Sequence, residues 1–465
     1  MWREDDFIIS LSGVRGIWEK GLTENKVYRL CLAASKIFKK NKYKKILIAR
    51  DTRKSGENIF FISKHCFEQQ GFSVCDLGIL PVPMLQSNTA SRQVAGALMI
   101  TASHNPPEYN GLKFYEKSGK IFNVKQIEQL LNIYEKQKIF SSLSFQKGSI
   151  LTKPAKDAYQ YHFNKIFSEI HQKKIKKVGF KVVVDTGNGA ASFLDKIFLE
   201  ELGCKVFEIN CQQDGCFRRK IEPLPECLSL LKKTVLETKA DLGFAQDCDA
   251  DRLAVADEKG NFLEDGVLLA IIVLHFLKNL SRKNKKVVVN LATSRIIDDV
   301  VKKFNGKLFK VPVGETNIIE AQKKLGALVG GEGHGGVIWP AICYGRDSFS
   351  AMALVLECLA FENKKLSEIV EKLPVYEMVK TKIPWQEGEK KLAIFLQLLK
   401  KIKWPEKVFK INTSDGLKID FKESWIIIRS SNTEPILRII AEAKNKEQGL
   451  KLLNLVKKTH ETFKT

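Results

Sequence analysis

The chain has no apolar run that approaches the ~18 residues of a membrane-spanning helix. The longest, Val267–Leu277, carries His275 and is followed at once by Lys278, so it is expected to form a buried helix. There is no CxxC pair, and the ten cysteines are scattered. The close pairs Cys204/Cys211 and Cys211/Cys216 have no histidine at zinc spacing, which leaves reduced, mostly buried thiols of a cytoplasmic protein. The start, Met1-Trp-Arg-Glu-Asp-Asp, is acidic on balance and lacks the basic start and apolar stretch of a signal peptide. The G-x-S-x-G elbow of serine hydrolases is missing. Acid is in short supply: 53 Asp and Glu stand against 76 Lys and Arg, a net charge of +23. The lysines fall in dispersed runs (Lys36–Lys45, Lys173–Lys177, Lys283–Lys286) with few aromatics between them. They read as solvated faces, with no nucleic acid or membrane partner implied. A doubly anionic small ligand would suit such a surface.

What is present is strand and helix in alternation, the pattern of an α/β protein with largely parallel pairing. Strand Lys45–Ala49 precedes a helix near Asn58–Gln70. Strands at Val74–Leu77, Val94–Ile100 and Gly111–Tyr115 follow, then a helix at Val124–Gln137. The theme restarts at Lys181, where Gly187-Asn-Gly-Ala-Ala is expected to open a helix running to about Leu202. A strand at Leu242–Ala245 ends this round. A third round spans Val267 to Gly331. Beyond about Leu373 the style becomes α+β, with antiparallel strands Gly416–Phe421, Ser424–Arg429 and Ile436–Glu442. Helices Gly388–Lys401 and Glu447–Glu461 flank them. The expected domains are 1–153, 154–258, 259–370 and 371–465.

Four loops carry chemistry. Thr101-Ala-Ser-His-Asn-Pro-Pro follows an apolar strand, at the strand end where open α/β sheets bind ligands. Its prolines stiffen the turn and bias Asn105 away from helix. Ser103 thus sits on a rigid tip, suited to a nucleophile or phosphate carrier, although the same residues also suit a capped turn. Asp247-Cys-Asp-Ala-Asp-Arg sets three carboxylates at alternate positions, expected to point one way on extended chain. Converging carboxylates call for a cation, and oxygen ligands suit Mg²⁺ or Ca²⁺. An EF-hand fails, because Arg252 stands where glycine is needed and both flanks read as strands.

Gly330-Gly-Glu-Gly-His-Gly-Gly lets backbone approach a ligand, with Glu332 and His334 as partners for hydroxyls. Arg429-Ser-Ser-Asn-Thr-Glu-Pro gathers a guanidinium, hydroxyls, an amide and backbone N–H groups, the donor set a phosphate dianion wants. Two further residues are candidates. Arg15, in Ser12-Gly-Val-Arg-Gly, can reach a phosphate. Lys113 can act as general acid or base, provided burial or positive neighbours lower its pKa.

In this order and spacing the four loops resemble the α-D-phosphohexomutase family, across essentially the whole chain. The resemblance implies three α/β domains and a smaller C-terminal α+β domain around a central cleft. It implies that Ser103 is the phosphoserine and His104 its neighbour, and Lys113 and Arg15 join them as the candidate catalytic residues. Asp247, Asp249 and Asp251 would hold Mg²⁺ together with an oxygen on Ser103. Arg252, Glu332 and His334 would contact the sugar phosphate. Arg429, Ser431, Asn432 and Thr433 would hold the phosphate that is not reacting.

The implied reaction interconverts hexose 6-phosphate and hexose 1-phosphate, with hexose 1,6-bisphosphate as intermediate and activator. The implied enzyme is a cytoplasmic monomer or homodimer. Cys248 stands where many members have glycine, and Glu315 where some have histidine. The sugar loop is nearer the Glu-Gly-Asn-Gly-Gly form of some phosphoglucosamine mutases than the Glu-x-Ser-Gly-His form of phosphomannomutases and phosphoglucomutases. That puts glucosamine phosphate ahead of mannose or glucose phosphate. A metal-dependent sugar phosphatase is the remote alternative, against which the distal clamp argues.

Overall fold

The computed structural model describes residues 2–4, 7–137, 147–280, 284–385, 388–431 and 435–464. These residues form four sheets and two compact units. One unit comprises residues 1–263 and 334–369, the other residues 264–333 and 370–465. Among the described residues no helix is long and apolar enough to cross a membrane. The run expected to be a buried helix is the helix Val267–Lys278, buried on nearly every side. All ten cysteines are free thiols.

In the first unit the larger sheet runs in the order Trp2–Glu4, Phe7–Ser10, Gly13–Ile17, Tyr109–Glu116, Gly96–Ile100, Lys45–Arg50, Ser73–Ile79. Only the last three strands are parallel. The others pair antiparallel, so the sheet is mixed where parallel pairing was expected. The cause is local: Gly96–Ile100 and Tyr109–Glu116 are joined by a loop too short for a crossover helix, and a short connection reverses the chain. Helices Glu24–Phe38, Gly56–Gln69 and Val124–Glu135 contribute to the core beside it. The Asn123 side chain opens the last of these with a capping box to Gln126.

The second sheet of this unit has the order Leu253–Asp257, Leu242–Gln246, Lys181–Asp185, Lys205–Ile209. Leu242–Gln246 pairs antiparallel with Leu253–Asp257, with Gln246 opposite Leu253. The loop 247–252 therefore closes a hairpin. The helix expected from Gly187 begins only at Leu194. Gly187 and Asn188 are left-handed, at φ 57° and 58°, which holds the chain out of a right-handed helix. A helix that the periodicity did not reveal, Ser348–Glu362, joins this unit through aromatic packing. Phe349 lies 5.7 Å from Phe163 and 5.3 Å from Phe198 between ring centroids.

In the second unit the strands Lys307–Val311, Lys286–Asn290 and Val329–Glu332 run parallel in that order. The C-terminal sheet is antiparallel, in the order Glu377–Pro384, Ile436–Ala443, Trp425–Ser430, Leu417–Asp420, Lys410–Asn412. Alternation decides its packing. Ile426 and Ile428 share a core with Phe395, Leu399, Leu452 and Val456 of the helices Gly388–Lys401 and Lys446–Lys464. Trp425 and Ile427 point the other way, onto Leu291 and Ala292.

Candidate active site

In the first unit, strand Gly96–Ile100 is buried throughout and delivers the chain to Thr101. The Thr101 hydroxyl donates to Asp51 Oδ2 at 2.6 Å and accepts from the Ser103 N–H at 2.9 Å. Ser103 is left-handed, with φ 51°, a conformation that costs a non-glycine residue on the order of 1–3 kcal/mol. The loop therefore carries strain beyond the stiffness expected from its prolines. Arg15, on strand Gly13–Ile17, donates to Asn105 Oδ1 at 2.9 Å. Close approach here depends on Gly111, where a Cβ would stand 2.2 Å from the Val14 carbonyl oxygen.

The aspartates converge by a turn, and not by the extended alternation expected. Asp247 Oδ1 accepts from the backbone N–H of Asp251 at 3.1 Å and of Arg252 at 3.2 Å, while Ala250 turns left-handed at φ 56°. Asp247, Asp249 and Asp251 are fully buried, and a ligand oxygen from each lies within 4.8 Å of the others. Asp249 Oδ1 and Asp251 Oδ1 have no hydrogen-bond partner among the described residues. Two orphaned carboxylate oxygens in a buried acidic trio fit a hard divalent cation.

Ser103 Oγ donates to Asp247 Oδ2 at 3.2 Å and lies 3.4 Å from His104 Nδ1. The serine and aspartate loops thus meet. Burial, with Asp251 and Asp249 beside it, pushes Asp247 well above the usual carboxylate range. Burial acts on Asp249 too, but the Lys113 ammonium outweighs it and holds Asp249 low. Burial pushes His104 down to about 2, aided by Arg252 and Arg15, so the imidazole is neutral.

Lys113 Nζ stands 2.6 Å from Asp249 Oδ2 and 3.6 Å from Asp251 Oδ2. Burial alone would lower its pKa, but these carboxylates raise it on balance. The lowering expected of a lysine base is therefore not what the structure gives, and Lys113 is an ammonium. Arg252 pairs with Glu222 at 2.7 Å.

Sequence reasoning missed three groups. Arg346 donates to Asp251 Oδ2 at 2.6 Å from 95 residues away. Asp51 and Arg53 bind the serine loop from beneath. Asp51-Thr-Arg follows a strand, as the four loops do, and that was the available signal. Cys248 is buried, with its thiol on the Ser103 carbonyl oxygen at 3.0 Å and on Asp51 Oδ2 at 3.2 Å. His334 also belongs to this unit and is exposed.

In the second unit Glu332 ends its strand and accepts from Asn290 Nδ2 at 3.2 Å. Arg429 is buried, and its Nε donates to both oxygens of Asp415, at 3.1 and 3.0 Å. Asp415 also accepts the Val313 N–H at 2.8 Å. Ser431 Oγ accepts from Arg438 Nε at 3.3 Å. Asn432 and Thr433 lie outside the described residues.

Four family models match in sequence: phosphoglucomutase/phosphomannomutase domain I over residues 8–139, domain II over 157–260, domain III over 265–376 and the C-terminal domain over 380–458. The phosphoglucomutase/phosphomannomutase of Thermococcus kodakarensis is 35% identical over 451 residues, 95% of this chain and 96% of that protein. The phosphoglucosamine/phosphogalactosamine mutase of Sulfurisphaera tokodaii is 33% identical over 455 residues, 97% of this chain and 98% of that protein. A crystal structure of a phosphoglucomutase/phosphomannomutase family protein from Burkholderia thailandensis has the same fold. It has a TM-score of 0.84 at 24% identity, over 98% of this chain and 97% of that one. The chain belongs to the phosphoglucomutase/phosphomannomutase family, the phosphohexomutases, isomerases that act as intramolecular phosphotransferases.

Proposed function

We propose that this enzyme interconverts hexose 6-phosphate and hexose 1-phosphate through a phosphate carried on Ser103, with glucosamine phosphate the preferred substrate. The observation that carries the reading is Ser103 Oγ lying 3.2 Å from Asp247 Oδ2 in a trio with two orphaned carboxylate oxygens. Asp247, Asp249 and Asp251 would hold Mg²⁺, which when bound draws off charge that builds on the phosphoryl oxygens.

The chain's own residues supply the rest. The strained serine loop presents Oγ, and neutral His104 hydrogen-bonds beside it without adding charge. Arg15 and Arg252 offer donors to the phosphoryl oxygens. In each half-reaction the P–O bond to one oxygen breaks as the bond to the other forms. Lys113, an ammonium at rest, gives a proton to the departing oxygen and takes one back from the attacking hydroxyl, so each half-reaction returns it to its starting state. The product of the first half is hexose 1,6-bisphosphate, which turns over and returns its other phosphate to Ser103. Glu332 and His334 hold sugar hydroxyls. Arg429, Ser431, Asn432 and Thr433 hold the idle phosphate, with Asp415 fixing the guanidinium.

The same reading gives one loop to each of the segments 1–153, 154–258, 259–370 and 371–465. It also takes the enzyme as a cytoplasmic monomer or homodimer. The sugar loop Glu-Gly-His-Gly-Gly favours the amino sugar. The name of the Thermococcus relative keeps glucose and mannose phosphates as the second reading.

The test is a panel of glucosamine, glucose and mannose 6-phosphates with Mg²⁺ and a trace of hexose 1,6-bisphosphate, followed by phosphorus NMR. Fastest turnover is expected with glucosamine phosphate. No interconversion of any of the three would sink the proposal. Intact mass should show a phosphate that the Ser103→Ala variant lacks.

A further inference from the structure

Arg53 is wholly buried, and each of its five N–H donors is used. Nε donates to Asp51 Oδ2 at 3.1 Å. Nη1 donates to the carbonyl oxygens of Pro106 at 2.5 Å and Tyr109 at 2.8 Å. Nη2 donates to those of Ser103 at 2.8 Å and Asn105 at 2.6 Å. One side chain thus grips three carbonyls of the loop that carries the reacting serine and a fourth at the first residue of the strand that follows it. Asp51, which fixes the guanidinium, also anchors the Thr101 hydroxyl that receives the Ser103 N–H. Ser103 is therefore held at both ends of its own residue: at N–H through Thr101 and Asp51, and at C=O by Arg53.

A left-handed serine relaxes unless its surroundings over-determine it. Without this grip, rotation about the Ser103 backbone would swing Oγ away from Asp247. We infer that Arg53 is a positioning residue for phosphoryl transfer. It touches neither substrate nor metal; it sets the angle at which Ser103 Oγ faces the aspartate trio. Lysine cannot replace it, because an ammonium has three donors from one point and cannot match a planar five-donor fork. This inference rests on the mutase reading and names a residue that the reading did not contain.

The test uses the full-length enzyme as wild type, Arg53→Lys, and Leu130→Ala as a core variant destabilised by a cavity. Melting temperature, kcat, KM and single-turnover phosphate transfer from hexose 1,6-bisphosphate to dephosphorylated enzyme are measured below all three melting points. For Arg53→Lys, kcat and the single-turnover rate should fall about 10- to 100-fold with KM within about threefold, the pattern of a misplaced reacting atom. Leu130→Ala should melt earlier yet keep both rates. If Arg53→Lys does not fold, Thr101→Val, which cuts the tie from Asp51 to the Ser103 N–H, carries the same expectation. A variant that merely melts earlier, with wild-type rates per folded molecule, overturns the inference. So does a rise in KM at constant kcat, which would assign substrate binding. A wild type that transfers no phosphate in the sugar panel overturns the mutase reading, and this inference with it. A wild type that turns over beside an equally fast Arg53→Lys overturns the inference alone.

Discussion

Lys113 occupies the acidic trio as a built-in cation, and replacing it with methionine tests that role. At an effective dielectric of about 20, charges at 2.6 Å and 3.6 Å attract by roughly 6 and 5 kcal/mol before desolvation. Desolvation of buried ions removes most of this gross gain. Removing one partner of a buried pair nonetheless costs about 3–5 kcal/mol, because the other charge is left uncompensated. Methionine keeps most of the stem's packing, so that figure is the expected loss in EDTA. A bound Mg²⁺ would supply the missing charge. Saturation at about 100 times Kd is worth roughly 2.7 kcal/mol to the wild type, and should be worth more to the variant, whose trio has lost its ammonium. Urea unfolding of both proteins, with EDTA and with Mg²⁺, closes the cycle. The gap between them should shrink to under about 2 kcal/mol in Mg²⁺. An equal gap in both conditions would refute the reasoning, since Lys113 would then act by packing alone.

Other outcomes follow from single residues. Asp195 is buried, its Oδ1 has no hydrogen-bond partner among the described residues, and burial raises its pKa well above the usual range, with the Gln246 side chain only partly opposing. A raised folded pKa stabilises below the unfolded pKa and is lost as pH climbs, so Asp195→Asn should gain about 1–3 kcal/mol at pH 8 and little at pH 4 by urea titration. Lys418 is lowered to about 7 by burial and by Lys310, against Asp420, Asp298 and Glu442. The unfolded chain then holds the extra proton between about pH 7 and pH 10.4, so stability rises with pH across that window by at most about 5 kcal/mol. Contact with the Trp425 ring at 4.0 Å favours the ammonium and makes this an upper bound. Lys418→Met should flatten the slope, and an unchanged slope would discount the shift. Arg429→Lys loses the planar fork that Asp415 fixes, and steady-state kinetics should show KM for the sugar phosphate up about tenfold with a smaller change in kcat.

The site was legible where its chemistry is consecutive in the chain. Ser103 and the three aspartates follow apolar strands, and periodicity locates such strands within a residue or two. The fold was less legible where backbone handedness decides. Two left-handed residues at 187 and 188 delay a helix that the Gly-Asn-Gly-Ala-Ala pattern would start at once. The same cause makes the aspartate loop a turn, so the trio was found for a geometric reason that the structure replaces. Arg346 was illegible for another reason: its partner Asp251 lies 95 residues away, and one arginine among 76 basic residues carries no local mark. Arg53 had only its place after a strand to mark it, since the carbonyls it binds lie about fifty residues on. The direction of the Lys113 pKa was not legible, because it depends on two carboxylates more than a hundred residues away.

The serine and aspartate loops both close antiparallel strand pairs: 101–108 between Gly96–Ile100 and Tyr109–Glu116, and 247–252 between Leu242–Gln246 and Leu253–Asp257. A hairpin ties its loop's length to the register of its sheet: an added residue must be taken up within the loop, or it slips the returning strand and moves that strand's side chains to the opposite face. Ser103 and the aspartates thus share a low tolerance of insertion that crossover loops, buffered by a helix, do not have. Deep insertion scanning should find these two loops less tolerant of added residues than the loops that lead into crossover helices.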